Sequence, residues 1–275
     1  MIHYTADGML TQAIIRERGL PDVSTYDRVY LSPHLDDAVL SCGGAIWQQV
    51  QAGERVLVVT VFAGVPALDT PLSPFAEELH ARWGRVADAA AVRQEEDRAA
   101  LALLGAKAAH WPYPDCIYRQ TPAGHFPYAS EEALWGEVHP AEQGLVAELA
   151  ARLAALPQRR DGMVYGPLGV GHHVDHRIVR QAAEASGHPL IYYEDFPYAQ
   201  DRRAVQLALA QVRAQARLVL LCEEALASKI AAIACYRSQL GTFWPGEAEM
   251  ATSVRTFAER TGGGVPAERY WKFHP

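Results

Sequence analysis

An α/β fold, with a mainly parallel sheet and helices on both faces, is predicted by two observations. Strand-like and helix-like segments alternate along the chain, as βαβ units require. The clearest strand, "RVLVVTVFAG" (55–64), is one continuous apolar run, the pattern of a strand buried on both faces. Length agrees: 275 residues suit one large α/β unit, so a single domain over 1–275 is expected.

The elements follow in order. "RVYLS" (28–32) is β-branched and aromatic and reads as the first strand, and residues 38–52 have helical character. The strand at 55–64 ends at Gly64. "VADAAAVRQEEDRAALALLG" (86–105) reads as a helix stopped by Gly105. "KAAHWPY" (107–113) is a weaker strand beside prolines, and 130–156 reads as one long Ala/Leu/Glu helix. "GMVYGP" (162–167) is a short strand, "HRIVRQAAEASG" (176–187) a helix, and "PLIYYED" (189–195) a strand. "ARLVLLC" (216–222) is a late strand followed by a helix over 223–239. The tail, 240–275, is rich in Gly, Pro and aromatics and is expected to be an ordered covering segment. No tandem repeat or low-complexity linker interrupts the pattern.

Net charge is −7 and no basic block stands out, so nucleic acid is not an expected partner. No apolar run is long enough to span a bilayer. The start, "MIHYTADGMLTQ", lacks a basic and an apolar signal region. Cys42, Cys116, Cys222 and Cys235 show no paired short spacing and read as reduced thiols. A cytoplasmic protein is the expectation.

Two motifs stand directly after strands, where parallel sheets place their ligands. "PHLDDAVLSCGG" (33–44) follows the first strand, and "GPLGVGHHVDH" (166–176) follows "GMVY". His34 and Asp37 are spaced i, i+3. His173 and His176 repeat that spacing, with Asp175 between them. Two His and one Asp make a three-ligand set for a divalent ion with a position open for water. Such an ion explains two adjacent carboxylates: one binds it and the other is left for proton transfer. The Gly43–Gly44 pair costs roughly 1 kcal/mol per residue in a helix relative to Ala, so a close approach of the sheet or a ligand is expected there. Each motif alone has an ordinary explanation, a capping His or a surface His cluster; their matched placement carries the metal reading. "GPLGVG" lacks the Lys-Ser/Thr of a phosphate loop and fails the dinucleotide pattern.

Together "PHLDDAVLSCGG" and "GHHVDH" resemble the PIG-L/LmbE-like de-N-acetylases, whose pattern is roughly Pro/Ala-His-x-Asp-Asp, then Gly-Gly, and later His-x-Asp-His. The family includes deacetylases of N-acetylglucosaminyl-phosphatidylinositol and of mycothiol and bacillithiol precursors. The resemblance implies a Rossmann-like fold and a zinc-dependent hydrolase that removes an N-acetyl group from an N-acetylglucosamine-type sugar or conjugate, a small-molecule partner. It implies that His34, Asp37 and His176 hold one Zn²⁺ per chain; Fe²⁺ or Mn²⁺ could use the same donors. Asp36 is then the general base and later the acid, His173 stabilises the oxyanion, and Asp175 orients the His173 ring. Arg93 and Glu96 resemble the family's Arg-x-x-Glu segment, in which the Arg meets substrate; the alternative is a plain helix-face salt bridge.

The chain departs from the pattern at several positions. Ala38 stands where many relatives carry Glu, and Leu35 and Val174 replace prolines. Gly171 stands where some relatives carry a mobile Tyr, with His172 or Tyr165 as candidate replacements. Asp115 or Arg119 could contact sugar hydroxyls, or lie in a plain loop, and "YYEDFPY" (192–198) could wall a pocket. The alternatives in function are an amidohydrolase for another small amide and a non-catalytic metal- or sugar-binding protein. The spare carboxylate of Asp36 favours chemistry. The oligomeric state is left open.

Overall fold

The computed structural model describes residues 25–67, 69–82, 89–210 and 212–274. Five strands are parallel: β1 (Tyr26–Ser32), β2 (Val56–Thr60), β3 (Lys107–His110), β4 (Gln158–Pro167) and β5 (Leu190–Tyr193). They lie in the order β3-β2-β1-β4-β5. Antiparallel β7 (Ala267–His274) continues the sheet beside β5, and β6 (Arg213–Leu220) forms its edge. Ten helices accompany the strands among the described residues: α1 (Asp37–Gln51), α2 (Pro74–Arg82), α3 (Ala89–Leu104), α4 (Glu131–Leu134), α5 (Gln143–Ala154), α6 (Val174–Ala185), α7 (Arg202–Leu209), α8 (Glu223–Ile233), α9 (Arg237–Phe243) and α10 (Glu247–Thr261).

The period-two alternation of the central strands divides the core into two layers. Tyr30, Val56 and Val58 pack with Leu40 and Ile46 of α1, Leu101 of α3, and Leu226 and Ile233 of α8. On the other face Val29, Leu31, Leu57 and Val59 pack with Leu149 and Leu153 of α5 and Ile178 and Val179 of α6. The expected α/β architecture with both faces covered is therefore present.

Four departures from the sequence reading have physical reasons. The helix expected over 130–156 is broken into α4, a 3-10 turn at Pro140–Glu142, and α5. Pro140 lacks the N–H that a continuous helix needs. The helix expected over 223–239 ends at Ile233, and α9 leaves in a new direction, fixed by two bonds to α3. Tyr236 donates to Asp97 Oδ1 at 2.6 Å, and Ser238 N–H donates to Glu96 at 2.9 Å. The tail does more than cover the fold: it supplies α10 and the whole of β7, a strand inside the sheet. Helix α2 has a polar, weakly periodic sequence that gave no signal, and α7 is amphipathic but only eight residues long. Residues 86–88 of the expected helix over 86–105, and the opening residues that bear on a signal segment, lie outside the described residues. No helix among the described residues is long and apolar enough to cross a membrane.

The glycine pair finds its reason here. A Cβ on Gly44 would stand 2.6 Å from Leu221 Cδ1, and one on Gly43 3.1 Å from Lys229 Cγ. The close approach is to α8 and to the segment entering it, rather than to a ligand. Glu268 of β7 accepts the Gly44 and Ala45 N–H groups at 2.9 and 3.0 Å, which binds the tail to α1.

Candidate active site

The strand order reverses between β1 and β4, so a crevice opens beyond their carboxyl ends, where open α/β sheets bind ligands. Both motifs emerge there.

The β1–α1 turn is built to free one carboxylate. Asp36 occupies the position before the helix, where an Asp ordinarily caps, yet its side chain makes no capping bond. Ser32 caps the turn instead. Its Oγ accepts the Ala38 N–H at 3.0 Å and donates to the His34 carbonyl at 2.6 Å. Asp36 also holds φ 146°, ψ −36°, a strained backbone for a non-glycine residue of the kind that collects at functional sites. Asp37 opens the helix, where the positive end of the helix dipole favours its charge, and its Oδ2 accepts the His34 N–H at 2.8 Å.

The β4–α6 turn brings the second motif across. Asp37 Oδ2 lies 3.3 Å from His34 Nδ1 and 3.2 Å from His176 Nε2. Two donors of one tetrahedral ion, each about 2.0–2.2 Å from it, stand about 3.3–3.6 Å apart, so the spacing fits a shared divalent ion. The remaining ring nitrogens are turned away and held. His34 Nε2 meets Asp175 Oδ2 at 2.9 Å, and His176 Nδ1 meets Asp195 Oδ1 at 2.7 Å. A carboxylate behind each imidazole places a proton on the far nitrogen and a lone pair on the near one, the arrangement that orients metal-binding histidines. The structure thus brings together His34, Asp37 and His176. Nitrogens of His34, His173 and His176 also lie within 4.8 Å of one another, which makes His173 a further donor in the same site.

Electrostatics follow from this crowding. Burial alone would lower His176, but the Asp37 charge and the Asp195 bond override it and push it up to about 10. His34 likewise rises well above its ordinary value despite burial, because Asp175 and Asp37 face it. Both rings therefore seek a positive charge, which a metal ion can supply in place of protons. Asp37 is held well below the usual carboxylate range against its burial, chiefly by His176. Burial, aided by the Asp37 charge, pushes its neighbour Asp36 up to about 7. Environment alone thus separates two adjacent carboxylates into a fixed anion and a group poised to exchange a proton near neutrality.

His173 caps α6, and its Nδ1 accepts the Asp175 N–H at 3.2 Å. That bond puts the ring proton on Nε2. Burial and the neighbouring His34 lower His173 to about 3, so it stays a neutral donor. Asp175 thus bonds His173 through its backbone, while its carboxylate lies within 4.8 Å of a His173 ring nitrogen and makes its short contact with His34. Arg93 Nη2 approaches Asp36 Oδ2 at 3.9 Å and the Leu35 carbonyl at 3.5 Å. It lines a small recess with Asp115, Tyr118 and Phe62. Glu96 accepts from Ser238 and ties α9 to α3.

Other expectations resolve differently. Arg119 does not face the crevice: it is buried between Glu142 and Asp175. Asp115 caps the 3-10 turn Cys116–Tyr118, with its other oxygen 3.7 Å from His34 Nε2. Tyr165 stacks on Tyr30 at 4.3 Å under α1 and cannot replace a tyrosine at position 171. His172, at φ 64°, turns the loop. The space beside Gly171 is filled by Tyr198: a Cβ there would lie 3.0 Å from Tyr198 Cγ, at a backbone φ of 88°. Tyr198 packs 6.1 Å from the His176 ring and 5.5 Å from Trp135, whose indole stands edge-on to His173 at 5.2 Å. Part of "YYEDFPY" thus does wall the site.

The residues that sequence reasoning missed are Asp195, Glu142 and Trp135. Asp195 follows β5, the next strand along, and a carboxylate at a third strand end was the available signal. Glu142 and Trp135 lie in the segment misread as continuous helix and gave none.

The PIG-L family model, described as GlcNAc-PI de-N-acetylase, matches residues 29–186. The chain is 26% identical over 185 residues to the 2'-N-acetylparomamine deacetylase of Niallia circulans, covering 62% of this chain and 66% of that protein. It is 31% identical over 191 residues to the Streptomyces fradiae protein of the same name, covering 64% and 59%. The chain thus spans two thirds or less of the length of these two relatives. Its structure is similar to the zinc-inhibited form of teicoplanin deacetylase Orf2, with a TM-score of 0.78 and 30% identity over 90% of this chain and 97% of that one.

Proposed function

This chain belongs to the PIG-L family, and on that premise we propose that it is a zinc-dependent de-N-acetylase acting on an N-acetylglucosamine-type sugar in a small conjugate. The carrying observation is the division of labour at the β1–α1 turn. Asp37 meets two carboxylate-backed histidines, while Asp36, one residue away, is relieved of capping by Ser32 and pushed up to about 7. A binding protein has no need of that second carboxylate.

His34, Asp37 and His176 would hold the ion, which when bound polarises the amide carbonyl and acidifies water. Fe²⁺ or Mn²⁺ suits the same donors. Asp36 takes a proton from the attacking water on its carboxylate and returns one to the departing amine, which leaves only when protonated. His173 donates its Nε2–H to the oxygen that gains charge as the carbonyl becomes tetrahedral. Its low basicity keeps the ring from taking a second proton, so it stays a neutral donor. Arg93, at the rim beside Asp36, binds substrate oxygens. The tail belongs to the same folded domain, because β7 holds the body of α1 through Glu268, away from the proposed ligands.

The test is acetate release from a panel of N-acetylglucosaminyl conjugates, including 2'-N-acetylparomamine and an N-acetylated glycopeptide, with metal content measured on the same sample. Zinc-dependent release that chelation abolishes is the expected result. A zinc-replete protein that releases acetate from none of them, yet hydrolyses simple esters or non-sugar amides, would replace the sugar assignment with a broader amidohydrolase.

A further inference from the structure

Behind the site lies a buried ionic cluster that the mechanism above does not use. Arg119 leaves the 3-10 turn after β3 and runs inward, with 7% of its side chain exposed. Its Nε and Nη2 donate to the two oxygens of Glu142 at 2.6 and 3.0 Å. Nη2 also donates to Asp175 Oδ1 at 2.6 Å, and Nη1 to the Pro114 carbonyl at 3.1 Å. The guanidinium lies over Phe62 at 4.7 Å, and Glu142 takes a further bond from the Tyr128 hydroxyl at 2.9 Å. Every rotation of the arginine is thereby fixed.

The other end of the cluster is His34. Asp175 is fully buried, and its Oδ2 accepts the Cys116 N–H at 3.1 Å and meets His34 Nε2 at 2.9 Å. Left to itself, Asp175 has competing options. It belongs to two further groupings able to hold a cation, one with His34 and Asp115 and one with Cys116 and His173. Either would draw the ion away from Asp37, and the first would engage His34 through Nε2 in place of Nδ1. Arg119 claims the outer oxygen of Asp175 and, with the Cys116 N–H, leaves the inner one aimed at His34.

We propose that Arg119, clamped by Glu142, is a positioning residue for the metal centre: it fixes Asp175 as the acceptor of His34 and so presents His34 Nδ1 to the ion. The inference rests on the metal reading proposed above. The energetics agree with a role beyond stability. Taking a guanidinium and two carboxylates out of water is costly, and a well-packed apolar group often serves the fold as well. With Phe62 and Tyr128 as walls, an apolar side chain would fit here. A relay to a metal ligand gives the charge a purpose.

A second buried pair supplies the control. Lys229 Nζ binds Glu268 at 2.8 Å, equally buried, but contacts α1 at Ser41, Gly44 and Ala45 and no proposed ligand. The experiment compares Arg119→Lys, Arg119→Met and Glu142→Gln with Glu268→Gln. Zinc affinity is measured by chelator competition, the Co²⁺ absorption spectrum of each substituted protein is recorded, and Tm is taken on the metal-free form. Partners behind metal-binding histidines typically contribute 10–100-fold in affinity, so Arg119→Lys and Glu142→Gln should bind zinc about tenfold more weakly and shift the Co²⁺ bands. Glu268→Gln should lower Tm with zinc affinity and spectrum as in the parent. Should Arg119→Met fail to fold, the two conservative variants carry the test. A lowered Tm with unchanged zinc affinity and unchanged bands in both would reduce the cluster to a structural ion pair and overturn the proposal, while leaving the metal reading intact. A parent protein that binds no zinc overturns both.

Discussion

The two ends of the sheet bury charge in different ways. At the carboxyl ends of β1, β4 and β5, four carboxylates and three imidazoles crowd together. Each ring proposed to bind metal presents one nitrogen to Asp37, and Asp36 is left without a capping bond. At the antiparallel end, Glu268 of β7 is satisfied on both oxygens: Lys229 and the Gly44 N–H at one, the Ala45 N–H and the Tyr270 hydroxyl at the other. The fully matched cluster holds the tail to α1. The unmatched one has capacity left for an ion and a reaction, which is where perturbed titration concentrates. Substitutions at the two ends should therefore separate chemistry from stability.

The largest separation is expected at Asp36 and Asp37. Asp36→Asn removes the proton acceptor and should lower kcat by about 10²–10⁴-fold with zinc content unchanged. Its Tm should not fall, since burial and the Asp37 charge oppose the ionised form. Asp37→Asn should instead lose zinc. Near-parent turnover by zinc-replete Asp36→Asn would break the comparison and shift proton transfer to His173. At the other end, Glu268→Ala strands a buried Lys229 and should cost about 3–5 kcal/mol of stability, with kcat/KM per folded molecule close to the parent. A collapse of kcat/KM in the folded fraction would show that the tail tunes the site as well as anchoring α1.

A pH series sharpens the contrast on the metal-free protein. His176 stands at about 10 in the fold, against burial, because of Asp37 and Asp195, and near 6.5 when unfolded. Its contribution is fully present below the unfolded value and lost as pH rises through the folded one. Asp36 acts in the same direction: burial raises it to about 7 from near 3.9, so the fold favours its protonated form and loses stability as pH climbs between those values. His173, lowered to about 3, acts in the opposite direction and offsets Asp36 below about 6.5. Metal-free Tm should therefore fall as pH rises from near neutrality to about 10, and zinc should flatten that slope. A flat metal-free profile would mean that the two rings carry no extra proton.

How much of this was legible in the sequence follows the same division. The parallel strands and both motifs announced themselves, because a strand buried on both faces must be continuously apolar and because His and Asp at strand ends have few other uses. The antiparallel end did not. "AERYWKFH" mixes charged with aromatic residues and shows no apolar run, and its inward Glu268 is matched by Lys229, 39 positions earlier in the chain. The contacts of Arg119 and Asp195 were hidden for a similar reason: their partners Glu142, Asp175 and His176 lie on other elements, and no local spacing records such a contact. The contact of Asp175 with His34 was not legible, because its near neighbour in sequence is His173 while its carboxylate meets His34 across the crevice.

The smallest expected effect lies at the rim. Arg93 comes from α3, on the α1 side of the sheet, and its Nη2 stops 3.9 Å from Asp36 Oδ2, beyond a direct hydrogen bond. That distance suits a group that binds substrate more than one that holds the base in place. Arg93→Ala should raise KM several-fold with a smaller change in kcat, the signature of binding shared by ground and transition states. A second consequence fixes its place near the base. The Arg93 charge opposes the rise of Asp36, so its removal should move the acidic limb of kcat/KM toward higher pH. Asp36→Asn should abolish that limb in both backgrounds. An unchanged KM and an unmoved limb, together with a lowered Tm, would return Arg93 to the helix-face salt bridge that its sequence equally allowed.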